Sequence, residues 1–245
     1  MTARRLEPAG AYQGPIWGTL PGAFPTEQAE RVYRYLLEQM PSDSIPRDLM
    51  GYGFQGVAYR FRAASDYGAE FEGLIGAPGG AAPPSDDVYR QERALFGFFV
   101  SGLACLECFS FAVYTLGAHY KPKKFGLSPG QLQAVEPALV ADKLQQAWPR
   151  ARISDVMNAL IQDDTFRVWK AIRNMLAHRA VPPRIIYLGG EAGARTAWRL
   201  VKHHFLDQMS PLNLSRSCVS PGWRNGFVIC GTELRRASLL RKRAA

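Results

Sequence analysis

From Leu95 to Ala118 the sequence holds one charged residue, Glu107, among Phe96, Phe98, Phe99, Leu103, Leu106, Phe109, Phe111, Val113 and Tyr114. A helix through this stretch has no polar face. Such a helix is either enclosed by other elements or immersed in lipid. The pattern predicts that it runs from about Val88 to Ala118, capped by Ser85 or Asp86. It is long enough for a bilayer, which needs about 20 residues, and Arg90, Arg93, Lys121, Lys123 and Lys124 flank it as they would flank an anchor. Two arguments favour enclosure in protein. An acid at mid-span costs about 2.5–3.5 kcal/mol on insertion scales, and the amphipathic helices elsewhere in the chain need a common apolar partner, which this helix supplies.

Those other helices are legible from period and punctuation. Residues 1–25 carry Gly14-Pro15, Pro21-Gly22 and Pro25 and read as an irregular arm. Thr26 is placed to cap a helix striped by Ala29, Val32, Tyr33, Leu36 and Leu37, which the segment from Pro41 to Pro46 ends. A second helix is expected from about Tyr52 to Ile75 through Phe54, Val57, Phe61 and Phe71, followed by a Gly/Ala/Pro linker from Gly76 to Pro84. After the long helix comes a loop over 119–130. Pro137 suits the first turn of a helix with Leu139, Val140, Leu144 and Trp148 on one face. Ile153, Val156, Met157, Leu160 and Ile161 keep helical spacing, and a last core helix runs from Asp163 or Asp164 to about Ala180, stopped by Pro182-Pro183. Ile185 to Leu188 reads as a short strand or an extended packing segment, and Ala192 to Phe205 as a short helix. Residues 206–245 show no sustained period.

The net charge of +9 is unevenly placed. From Arg195 onward ten Lys or Arg stand against two acids, giving +8, so residues 1–194 hold twenty bases and nineteen acids, giving +1. Only the tail offers a strong footprint for phosphate. Its Arg/Ser-rich, aperiodic character reads as a nonspecific RNA contact, as a poorly ordered extension, or as out-of-frame translation. Four cysteines and no apolar run behind a basic start argue against a secreted disulfide scaffold, and a reducing, cytoplasmic setting is expected. Cys105-Leu-Glu-Cys108 lacks a second pair at zinc-ribbon spacing, since Cys218 and Cys230 are twelve apart, and His203-His204 lacks a third ligand, so neither metal nor cofactor is expected.

The most informative segment is Trp169-Lys-Ala-Ile-Arg173-Asn174-Met-Leu-Ala-His178-Arg179. At 100° per residue, Phe166, Trp169, Ile172 and Leu176 mark an apolar face, and Arg173 falls within it. A guanidinium cannot shed its charge, so a buried one needs a carboxylate, phosphate or carbonyl partner. Glu107 is a natural candidate: a lone buried carboxylate is equally costly. The alternative is that Glu107 reaches the surface at the edge of its helix. Asn174 and His178, four apart, share a different flank from Arg173. One helix therefore does not aim all three groups in one direction, and a two-fold contact between copies would relieve the mismatch. The plainer reading is that His178 and Arg179 serve the helix macrodipole and that Arg173 is a structural ion pair.

The pattern Arg-Asn-x-x-x-His near the end of a late helix, with a long buried helix before it, resembles the HEPN family over roughly residues 86–182. The resemblance implies an all-α, HEPN-like helical bundle around a long buried helix. Residues 1–84 would be an N-terminal arm and helical extension, 85–190 the core, and 191–245 an irregular basic C-terminal extension. It also implies a homodimer with a composite site in which Arg173, Asn174 and His178 are catalytic and Glu107 and Arg179 supporting. The activity implied is metal-independent cleavage of RNA in a toxin, defence or stress role, with an antitoxin or regulatory protein as a further partner. The family also includes catalytically silent RNA binders and structural members.

Overall fold

A computed structural model of the chain describes residues 20–75, 83–178, 184–187 and 195–198. The described residues form α1 (Thr26–Gln39), α2 (Ile45–Ile75), α3 (Ser85–Tyr120), α4 (Pro129–Gln133), α5 (Pro137–Ala147), α6 (Arg152–Gln162) and α7 (Asp164–His178). An antiparallel pair of short strands follows, β1 (Arg184–Tyr187) and β2 (Arg195–Trp198). The architecture is an all-α bundle around the long apolar helix α3.

α2 and α3 form an antiparallel hairpin, and glycine is what brings them together. A Cβ on Gly53 would stand 2.8 Å from the Ala112 methyl carbon, and one on Gly56 would stand 2.7 Å from the Cys108 sulfur. Side chains at either position would hold the helices apart. Around this seam lies the main core. α1 contributes Tyr33 and Leu36, α2 Met50, Phe54 and Val57, α3 Cys105, Phe109 and Val113, α5 Val140 and Leu144, and α6 Met157. Residues 26–75 thus share one core with the helices that follow residue 85. A satellite cluster of Phe71, Ala94, Leu95, Phe99, Trp169 and Ile172 fastens α7 to the hairpin.

Several helix starts differ from the sequence reading. α2 begins at Ile45, not Tyr52. Pro46 sits in its first turn, where a missing N–H costs nothing, and the Ser44 carbonyl accepts from the Arg47 and Asp48 amides. A proline expected to end one helix instead opens the next. Thr26 and Ser85 are the first helical residues rather than caps: Pro25 and Pro84 occupy the cap positions and make no side-chain cap bond. Asp86 does not cap either. With Asp87 it lies in the first turn of α3, where negative charge favours the helix dipole. Asp163 does cap, its Oδ1 accepting the Phe166 amide at 3.1 Å.

The 119–130 segment is more ordered than a loop. Ser128 and Gln131 form a capping box that opens α4, and Phe125 is fully buried beside Tyr114 and Trp148. The basic cluster here latches onto α5. Lys121 donates to the Ala147 carbonyl and Lys124 to the Gln146 carbonyl at the end of that helix, where cations complement its dipole.

β1 fulfils the strand alternative for Ile185 and its neighbours. The helix expected over Ala192 to Phe205 is corrected at Arg195–Trp198, which is strand paired with β1 in the register Ile185↔Ala197 and Ile186↔Thr196. β-Branched Ile185, Ile186 and Thr196 together with Trp198 favour the extended form, and the ladder satisfies backbone groups that a short isolated helix would leave open. The expectations for the arm over 1–19, the linker over 76–82 and the basic tail from 206 fall outside the described residues.

Candidate functional site

α7 is defined by what it buries. Phe166, Trp169 and Ile172 are each at most 9% exposed, and Leu176 packs partly buried behind them, the face expected from the sequence. Trp169 is the anchor. Its ring lies on Gly102 of α3, where any Cβ would collide with it, and it meets Phe98 and Phe99 at centroid distances of 4.9 and 5.2 Å. Lys170, on another side of the helix, pairs with Glu136 just before α5 at 3.3 Å.

Arg173 follows directly after the buried Ile172, and its Nη2 donates to the Glu107 Oε1 of α3. The side chains are 21% and 41% exposed. Both sequence expectations for Glu107 are therefore met in part: the carboxylate is paired with Arg173, and it also reaches water at the edge of α3. The pair joins the only charge of the apolar stretch to the arginine of the motif across 66 residues of sequence. It closes on a partly buried stretch of α3, where Ala104, Leu106, Glu107 and Cys108 are each half-buried. Of α3, 56% of the apolar window is buried, and it is the one helix among the described residues long and apolar enough to cross a membrane.

Asn174 is half-buried, one residue past Arg173. His178 is the last residue of α7, five positions after Arg173, which is about 7.5 Å further along the axis at 1.5 Å per residue. Arg179 lies outside the described residues. The structure thus brings Glu107 and Arg173 together and sets Asn174 and His178 further along the same helix.

Among the described residues no third metal-ligating side chain joins the cysteine pair. Cys105 is fully buried and Cys108 half-buried, both as free thiols, and no group of three metal-ligating side chains occurs among the described residues. Burial pushes both thiols above their ordinary range. For Cys108 the nearby Arg60 guanidinium opposes that shift and Glu107 reinforces it. The Cys105 thiol lies 3.5 Å from the Val57 carbonyl of α2, to which it donates. Cys218, Cys230, His203 and His204 fall outside the described residues.

Sequence reasoning passed over two features of the α2–α3 hairpin, one near Glu107 and one about 21 Å along α3 from it. Arg60 stands near Cys108 on the α2 side, and Arg93 of α3 pairs with Glu70 of α2. Both are single basic residues on amphipathic helices, a pattern that carries no signal until the partner helix is placed.

The fold and the site define a class no narrower than an all-α bundle with an arginine–carboxylate clamp between its central and last helices. Comparison with known proteins adds nothing to that, since no family model, no curated protein and no solved structure matches the chain.

Proposed function

We propose that the chain is an RNA-directed protein with a HEPN-like site, a metal-independent endoribonuclease of toxin, defence or stress type that works as a cytoplasmic homodimer. The observation that supports this reading is the Glu107–Arg173 clamp on the helix that ends at His178. It holds the motif arginine half-buried at the edge of α3, and among the described residues it commits one nitrogen. A guanidinium has five N–H donors in a planar fork, so the remainder stay available for two phosphate oxygens.

The chemistry assigned to the site is transesterification within RNA. The 2′-oxygen attacks the adjacent phosphorus, and the bond from phosphorus to the 5′-oxygen breaks. Imidazole titrates near neutral pH, so His178 of one copy takes the 2′-OH proton and His178 of the other returns a proton to the leaving 5′-oxygen. Arg173 offsets the charge that builds on the phosphoryl oxygens, and Asn174 orients the phosphate. The products are a 2′,3′-cyclic phosphate and a 5′-hydroxyl.

A second reading draws on the same pair. Glu107 neutralises much of the charge that Arg173 would offer to RNA, which is what a catalytically silent binding or regulatory protein of this type would show. Purified protein incubated with structured RNA in EDTA separates the two. Cleavage that disappears in both His178→Ala and Arg173→Ala is the expected result. RNA retention without cleavage selects the silent reading, and equal cleavage by all three proteins removes the site.

A further inference from the structure

The face of α3 that the bundle leaves open is symmetric in sequence. α2 covers one flank of α3, with Gly56 on Cys108 and Gly68 on Phe98, and α7 covers another through Trp169 on Gly102. Between them a strip reaches solvent. At its centre is Val100, half-buried. Four residues before and after it stand Phe96, 42% exposed, and Ala104, half-buried. Seven before and after stand Arg93 and Glu107, with side chains 50% and 41% exposed. Eleven before and after stand Tyr89, 65% exposed, and Phe111, half-buried. Offsets of four, seven and eleven return to one side of a helix, so these positions form a single line.

We propose that the chain pairs with a second copy of itself along this line, α3 against α3, antiparallel about a two-fold axis at Val100. A two-fold contact places every residue opposite its mirror position. The large Phe96 ring then faces the small Ala104, Arg93 faces Glu107, and Tyr89 faces Phe111, each twice, while Val100 meets its own copy. Size and charge are both complementary, and no like charges oppose. Arg93 already holds Glu70, and Glu107 already holds Arg173. The contact therefore links two existing pairs into an alternating chain, Glu70–Arg93–Glu107–Arg173, across the boundary. From Tyr89 to Phe111 the line is about 33 Å long at 1.5 Å per residue. A face-to-face two-fold of this kind also keeps α7 of both copies on the same side of the dimer. The pairing stands apart from the proposed function, since the two Glu107–Arg173 pairs lie about 21 Å apart along the axis.

The test uses the full chain. Sedimentation velocity at micromolar concentration gives a dimer, and Val100→Glu, which sets two carboxylates on the axis, gives a monomer with unchanged far-UV circular dichroism. Val100→Cys forms a covalent dimer on mild oxidation, since its two copies meet. Ala104→Cys does not, because its copies lie about 12 Å apart along the axis, beyond the reach of a disulfide. The parent chain is the blank for both. A monomeric parent overturns the pairing, as does a dimer that survives Val100→Glu while Val100→Cys stays uncross-linked. Extraction of the chain only by detergent, with Val100→Cys uncross-linked, assigns the strip to lipid and also overturns it. RNA cleavage by a monomeric Val100→Glu protein confirms the pairing and refutes the composite site, so the two readings fail separately.

Discussion

On one side of α3, Gly53 and Gly56 let α2 close almost backbone to backbone. On another, α7 is held by the Trp169 ring over Gly102 and by the Glu107–Arg173 pair at the surface. The first seam is long, and shared by three other helices through the main core. The second depends on a small satellite cluster and a half-exposed ion pair. Local opening is easiest where few apolar groups are buried. The helix that carries the candidate site is thus held by the weaker of these two seams, and the contrast can be tested from both sides.

The largest effect is expected at the anchor of the weaker seam. Trp169→Ala removes the ring that fills the space over Gly102, and truncations of this size cost about 3–5 kcal/mol. Urea unfolding should show that loss, and hydrogen exchange should show it concentrated in α7. A loss below about 1 kcal/mol would mean that α7 is held by something other than its indole.

Overpacking the stronger seam should cost somewhat less. Gly53→Val meets Ala112, whose backbone N and Cα lie 3.0 Å from the new Cβ and cannot swing aside, so a penalty of about 1–3 kcal/mol is expected. Gly73→Ala on the same helix is the control. Nothing lies within 4 Å of its Cβ, and gain of helix propensity should stabilise the protein by up to about 1 kcal/mol. If both substitutions behave alike in thermal unfolding, the α2–α3 approach is looser than described.

A pH effect follows from the thiols inside that seam. Burial raises the Cys105 and Cys108 thiols above their ordinary range, so the folded state holds these protons more tightly than the unfolded chain does. Their contribution is complete below the unfolded value of about 8.5 and is lost as pH rises above it, at up to about 1.4 kcal/mol per pH unit for each thiol. Urea midpoints should fall between neutral pH and pH of about 9.5, and Cys105→Ala should flatten the slope. An unchanged slope would place the alkaline sensitivity elsewhere.

The two seams were not equally legible in the sequence. Period and punctuation located α3, α5, α6 and α7, because their apolar spacing is regular and Pro137 and Asp163 mark their starts. The Glu107–Arg173 partnership was also readable, because a lone acid in an apolar run and an arginine in an apolar face each need a counter-charge. The seven residues before Tyr52 in α2 were missed, because Pro46 reads as a stop or a start according to which side the helix lies on. The role of Gly53, Gly56 and Gly102 was invisible. A glycine in a helix looks like a weakness until a neighbour is placed against it. β2 was misread because Arg195 to Trp198 has no strand partner until β1 is laid beside it. Pairing is a property of two segments, and period is a property of one.

The smallest stability effect is expected where the functional consequence is greatest. Glu107→Gln breaks the ion pair at a position where the carboxylate is 41% exposed and the guanidinium 21%. Partly hydrated pairs contribute about 0–1 kcal/mol, so unfolding midpoints should barely move, and Arg173→Ala should behave similarly because the stranded Glu107 can still hydrate. Their effects on RNA should diverge. Glu107→Gln keeps the guanidinium and removes the charge that competes with phosphate, so it should bind RNA at least as tightly as the parent, while Arg173→Ala should bind more weakly with a shallower salt dependence. Fluorescence anisotropy with labelled RNA over a salt series reads both. If the two substitutions leave RNA affinity unchanged, the pair is a fastening for α7 and nothing more. If they shift it in opposite directions, the helix held by the weaker seam is also the one that meets the ligand.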